Sequence, residues 1–156
     1  MEIKFTVPGS CVGKQRPKFS SRGNFVRAYT QTKTVNYENL VKMSYYNTNM
    51  FRNKLEGAIK ATVVAVYPIP ESASKSNKKK MLNGELPYIK KPDVDNIAKS
   101  IFDALNNIAY NDDNQINEIN VKKIYGEIPR TDITLEDSTN DAICPIYLIK
   151  NQEGDF

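Results

Sequence analysis

Near its start the sequence alternates Ile3, Phe5 and Val7 with Glu2, Lys4 and Thr6. A period of two predicts a strand over residues 2–7 with one face buried, ended by Pro8–Gly9–Ser10. Between Thr30 and Leu55 the period lengthens. Tyr37, Leu40, Val41 and Tyr45 fall at helical spacing, with Thr34 a candidate N-cap. Residues 59–67 (IKATVVAVY) are rich in β-branched side chains and predict a central strand, closed by Pro68 and Pro70. Lys78–Met81 fits a short helix and Asn83–Gly84 a turn.

After Pro92, the residues Ile97, Ile101, Ala104, Leu105 and Ile108 form an apolar stripe at a 3.6-residue period. The helix they predict is stopped by Asn106, Asn107 and the run Asn111–Asp112–Asp113–Asn114. The chain then returns as a strand with Ile119 and Val121 alternating against polar neighbours before Tyr125–Gly126. Another strand is expected over Thr131–Leu135, with Ile133 and Leu135 on one face. The apolar run Ala142–Ile149 (AICPIYLI) reads as one further packed strand or segment. No internal repeat is present.

With 156 residues, 40% of them hydrophobic, the chain suits one compact domain, taken as 1–150, with 151–156 a fraying tail. No apolar run nears the roughly 18 residues a membrane helix needs, and no secretory leader opens the sequence, so a cytoplasmic location is expected. Cys11 and Cys144 stand far apart and read as free thiols. Histidine is absent, which removes Ser-His-Asp triads, His-based zinc sites and histidine general bases. Hydrolysis in this chain must use carboxylates, lysine and metal-bound water.

The net charge of +4 is unevenly spread. No acid occurs between Glu2 and Glu38, a stretch that carries Lys14, Arg16, Lys18, Arg22, Arg27 and Lys33. Within it, GKQRPKFSSRGNFVRAY interleaves basic residues with Phe19, Phe25 and Tyr29, as a loop or ribbon gripping phosphates would. A second basic stretch holds Lys75, Lys78, Lys79, Lys80 and Lys91 and leads directly into an acidic cluster. From Glu127 onward the balance turns acidic, so a polyanion met on one face is expected.

The acidic cluster is the centre of the chemistry. Asp93 and Asp95 precede the amphipathic helix, and Asp112 and Asp113 lie in the turn after it. A helix followed by a returning strand can bring Asp113 back towards Asp93 and Asp95. Carboxylates brought together need a cation between them, and hard oxygen ligands select Mg²⁺, Mn²⁺ or Ca²⁺ over zinc. Lys99, one helical turn after Asp95, projects on the same side and could neutralise a phosphorane or hold a leaving oxygen. Taken singly, each element also has a plainer reading: a helix cap, turn chemistry, and a surface Lys99–Asp103 ion pair.

In order, KPDVDN, Lys99, FDALN, NDDNQI and VKKIYGE resemble the RusA family of Holliday junction resolvases, as do GKQRPKF, YTQTKTVNYE and SKSNKKKMLNG upstream. The resemblance spans roughly Phe5 to Glu136, and the upstream segments look like those of phage and Gram-positive-type members. It implies an α+β fold with a mixed β-sheet and flanking helices, working as a homodimer. It also implies Mg²⁺-dependent cutting of four-way DNA junctions by paired symmetric nicks, with Mn²⁺ substituting. The family's essential aspartates fall on Asp93, Asp95 and Asp113 and its essential lysine on Lys99, while Asp112 and Glu118 sit where members often carry acids. Two departures stand out: Gln15 replaces the commoner glycine, and the tail after Asp137 has no counterpart. The competing expectations are a non-catalytic binder of branched or single-stranded DNA and a small-molecule phosphohydrolase.

Overall fold

A computed structural model describes residues 1–49 and 53–137 of the protein. Strands β1 (Glu2–Pro8), β2 (Lys18–Arg22) and β3 (Phe25–Tyr29) lead to helix α1 (Thr32–Asn49). Strand β4 (Ile59–Pro68) is followed by helices α2 (Lys75–Leu82) and α3 (Val94–Leu105), then a 3-10 turn (Asp113–Gln115), β5 (Ile116–Gly126) and β6 (Arg130–Asp137). The apolar segment 142–149, Cys144 and the tail 151–156 lie outside the described residues. Among the described residues no helix is long and apolar enough to cross a membrane.

The main sheet has the order β1-β6-β4-β5. β4 pairs parallel with β5 and antiparallel with β6, and β6 pairs antiparallel with β1, so the fold is α+β with a mixed sheet. The β-branched run places β4 in the interior, as its composition predicts. Ile59, Ala61, Val63, Ala65 and Tyr67 of β4 join Ile3, Phe5 and Val7 of β1 and Ile133 and Leu135 of β6 in one core. Tyr37, Val41 and Tyr45 of α1 and Ile97, Ile101 and Leu105 of α3 cover that same face. Burying a side chain of this size is worth roughly 1.5–3 kcal/mol, so the α3 stripe alone is a firm anchor for what its first turn presents.

The parallel β4–β5 pair requires a crossover, and α2 and α3 supply it. At its far end the chain must pass over β4 to reach β6. Gly126 allows the passage, since a Cβ there would lie 2.5 Å from Val66 Cγ1.

Some expectations need correction. α1 begins at Thr32, so Thr34 is not its cap but a buried residue of the first turn. α3 ends at Leu105, where Asn107 takes a left-handed φ of 61° that asparagine tolerates, leaving Ile108 beyond the helix. Ile119 shares the inner face of the sheet with its partner Ala61, yet is 52% exposed, because it lines the open cleft beside α3. One expectation holds: the basic stretch near the N-terminus, read as a loop or ribbon, is a separate two-stranded ribbon, β2–β3, every residue of which is exposed. Phe19, Phe25 and Tyr29 therefore belong to a surface and not to the core.

Candidate active site

Asp93 is the N-cap of α3 by backbone geometry (φ −72°, ψ 154°), yet its side chain makes no capping hydrogen bond. A cap aspartate ordinarily gives its carboxylate to the first-turn amides; that of Asp93 does not. Asp95 lies in the first turn and Lys99 one turn on, all three exposed. The turn after α3 divides its two acids by task. Asp112 accepts from the Asn114 amide at 2.8 Å and forms a reciprocal capping box with Gln115. Asp113 accepts from the Ile116 amide through its backbone carbonyl, while its carboxylate makes no hydrogen bond or ion pair among the described residues.

Two adjoining clefts receive these groups. The larger, about 680 Å³, is lined by Asp95, Lys99, Phe102, Asp103 and Asp113 together with Ile119–Val121 of β5. Its neighbour, about 640 Å³, is lined by Asp93, Asp95, Lys99, Asp103, Lys14 and Arg16. Asp95, Lys99 and Asp103 form the wall common to both. The fold thus brings Asp95, Lys99 and Asp113 to one cleft and leaves Asp93 opening on the next. Among the described residues no three acidic or thiol side chains converge into a ready-made metal cluster. Mg²⁺ asks for less, commonly one or two carboxylates completed by water and phosphate. The side-chain oxygen of Gln15, buried and without a donor among the described residues, lines the Asp93 cleft and is the kind of acceptor a hydrated cation would satisfy.

Comparison with known proteins now decides the ancestry. The family model for the endodeoxyribonuclease RusA matches residues 8–136. The chain belongs to the RusA family. It is also 34% identical over 137 residues to the uncharacterized protein YqaN of Bacillus subtilis (strain 168), spanning 86% of this chain and 96% of that one. At family level this is an endodeoxyribonuclease directed at branched DNA junctions.

The cations expected to meet DNA have unequal freedom in this RusA-family site. Lys14 is held by Glu38 of α1 and by Asp103 of α3, the latter at 3.0 Å. Burial pulls its pKa down, but the hydrogen bonds to Glu38 and Asp103 outweigh that and hold it above the usual lysine value. Asp103 is therefore engaged by Lys14, and the expected Lys99–Asp103 pair does not form; Lys99 has no ion pair among the described residues. Arg16 borders the Asp93 cleft, and Lys91 shares a third, smaller one with Asp93 and Lys33. Lys18 and Arg22 lie on the ribbon. Lys75, Lys78, Lys79 and Lys80 lie on α2, which packs beside β5 and lines neither cleft. Glu118 pairs with Lys60 across β4–β5 at 3.4 Å.

Several supporting residues escaped sequence reasoning. Gly13 packs so closely on the start of α3 that a Cβ would lie 2.6 Å from Pro92 Cβ, and the Lys14 amide donates to Asn96 O at 2.8 Å. Lys123 donates to the carbonyls of Lys90 and Pro92 and sits 5.4 Å from the Tyr88 ring centre. Tyr88 itself stacks on Tyr67 at 4.1 Å and donates to Lys91 O. For Gly13, Lys14 and Lys123 the only signal was membership of the motifs GKQRPKF and VKKIYGE, and Tyr88 lies in neither; which side chain faces which loop depends on strand placement.

Proposed function

We propose that the protein resolves four-way DNA junctions by divalent-metal-dependent phosphodiester hydrolysis, and that Asp95, Asp113 and Asp93 are its cation ligands. The observation that supports this best is the single cleft shared by Asp95, Lys99 and Asp113. Asp93 and the Gln15 oxygen contribute from the adjoining cleft. Mg²⁺, or Mn²⁺ in its stead, supplies Lewis acidity and a water of lowered pKa at the scissile phosphate when bound.

The remaining work belongs to the chain. Lys99, with no carboxylate partner among the described residues, is available to offset charge on the phosphorane or the leaving oxygen, an effect of order 10²–10³ in rate by analogy with oxyanion donors. Arg16, Lys91 and the basic residues of the ribbon and α2 neutralise phosphates on the approach, so affinity falls steeply with salt. A two-fold homodimer would present two sites to a two-fold junction and make paired, symmetric nicks.

A second reading rests on the spread of the carboxylates: a branched-DNA binder that does not cut. One experiment separates the two. Asp95→Asn and Asp113→Asn are assayed on a four-way junction with Mg²⁺, beside binding measured with a chelator. Loss of cleavage by a factor of about 10³ with binding intact is expected; wild-type-like cleavage by both variants rejects the assignment.

A further inference from the structure

The β2–β3 ribbon has a register that sorts its side chains by chemistry. Lys18 faces Tyr29, Ser20 faces Arg27 and Arg22 faces Phe25, so these six share one side. Phe19 faces Ala28 and Ser21 faces Val26, and these four make up the other. All three cations of the ribbon, with two aromatic rings, are thus on one face, and the opposite face is uncharged. No carboxylate lies anywhere between Glu2 and Glu38 to oppose those cations.

Among the described residues the ribbon pairs with no other strand. Phe25 is 83% exposed and Tyr29 49%, a heavy cost in apolar surface for a hairpin that is marginal by itself. Rings set between cations about two residues apart match a nucleic-acid strand, whose bases stack on aromatic planes while its phosphates meet Arg and Lys. A paired duplex hides its base faces. Unpaired nucleotides, which a branch point supplies, expose them.

We propose that the Lys18–Arg22–Arg27 face of the ribbon binds unpaired nucleotides at the branch of the DNA, with Phe25 and Tyr29 stacking on bases. This rests on nucleic acid being the substrate, but not on cleavage. Selectivity for branched over fully paired DNA then resides in the ribbon, apart from the clefts that hold the acids.

The test measures binding in chelator, so that no cutting intervenes, on a single-stranded oligonucleotide, an open fork and a matched duplex. Phe25→Ala/Tyr29→Ala should lose about 10- to 100-fold in affinity for the first two and little for the duplex. Arg22→Gln/Arg27→Gln should weaken binding to all three and reduce the dependence of log K on log salt by about 2. Phe19→Ser/Val26→Ser, on the other face, should leave all three affinities unchanged, and circular dichroism checks that each variant is folded. Equal affinity of the Phe25/Tyr29 variant and wild type for unpaired DNA overturns the proposal, as does loss confined to the Phe19/Val26 variant. If the proposal falls in this way while wild type still nicks junctions with Mg²⁺, the nuclease assignment stands. If the ribbon variants behave as expected but wild type never cuts, the nuclease assignment falls alone.

Discussion

The ammonium of Lys123 on β5 donates to the carbonyl of Pro92 at 2.9 Å, and to that of Lys90 at 2.7 Å. It therefore ties the edge strand to the loop that delivers Asp93 to the head of α3. Tyr88, stacked on Tyr67 and edge-on to Tyr125, closes the same loop from its other side. Lys123 touches no reacting group, so its role is to position. Lys123→Met keeps the aliphatic stem and removes both bonds, each worth about 1.5–3 kcal/mol at most for a charged donor. Cleavage should fall about tenfold and the melting temperature by a few degrees, with the affinity for duplex DNA in chelator unchanged. Unaltered cleavage would show that Asp93 needs no such tether.

Asp113, in the neighbouring cleft, has its own tether. Gln115 accepts from the amides of Asn111 and Asp112 and donates to Leu55 O and Gly57 O, both at 3.1 Å. One side chain so pins the turn bearing Asp113 to the chain entering β4. Gln115→Glu should be worse than Gln115→Ala, because a carboxylate would face two carbonyls with no proton to give. Both should raise the Mg²⁺ concentration needed for half-maximal cleavage, Glu further than Ala. The same Mg²⁺ requirement in all three proteins would remove Gln115 from the argument.

The family was legible in the order of KPDVDN, Lys99, FDALN and NDDNQI, because spacing along the chain is a one-dimensional signal. Elements with strong periods were legible for the same kind of reason. Ile97, Ile101 and Leu105 must be buried together, and the β-branched 59–67 run must be a strand. What the chain could not announce was partnership across the fold. Asp103 is committed to Lys14 and not to Lys99, since the Gly13–Lys14 segment crosses the head of α3. Ile119 lies on the core face beside Ala61, as the alternation implies, and is exposed because that part of the face opens into a cleft. The sidedness of the ribbon depends on which residue pairs with which, and a hairpin's register follows from its turn, here Gly23 at φ 64°.

The two kinds of basic residue should separate in a salt titration. Each phosphate neutralised adds about 0.9 to the slope of log K against log salt. Lys14 already carries two carboxylates, whereas Arg16 has no ion pair among the described residues. Arg16→Gln should therefore reduce the slope by close to one unit, and Lys14→Gln by much less while lowering the melting temperature. Equal slope losses would mean that Lys14 leaves Glu38 and Asp103 when DNA arrives.

Alkaline pH should unfold the protein through groups the core keeps protonated. Burial pushes the hydroxyls of Tyr37 and Tyr110 and the thiol of Cys11 upward, and Asp113 and Asp103 add to the effect at Tyr110. In the unfolded chain these groups titrate near their ordinary values, about 8.5 for the thiol and about 10 for the phenols. A raised folded value means the folded state holds protons that the unfolded state has released. The stabilisation is complete below the unfolded values and drains away as pH climbs past them, by about 1.4 kcal/mol per pH unit for each such group. Lys14, also raised, acts in the same direction above about 10.4. The melting temperature should thus hold steady around neutrality and fall increasingly above about pH 9. Of the 9 tyrosines, those that are buried should show tyrosinate absorbance only in step with unfolding. Full tyrosinate absorbance in a protein still folded by circular dichroism would contradict the burial of Tyr37 and Tyr110.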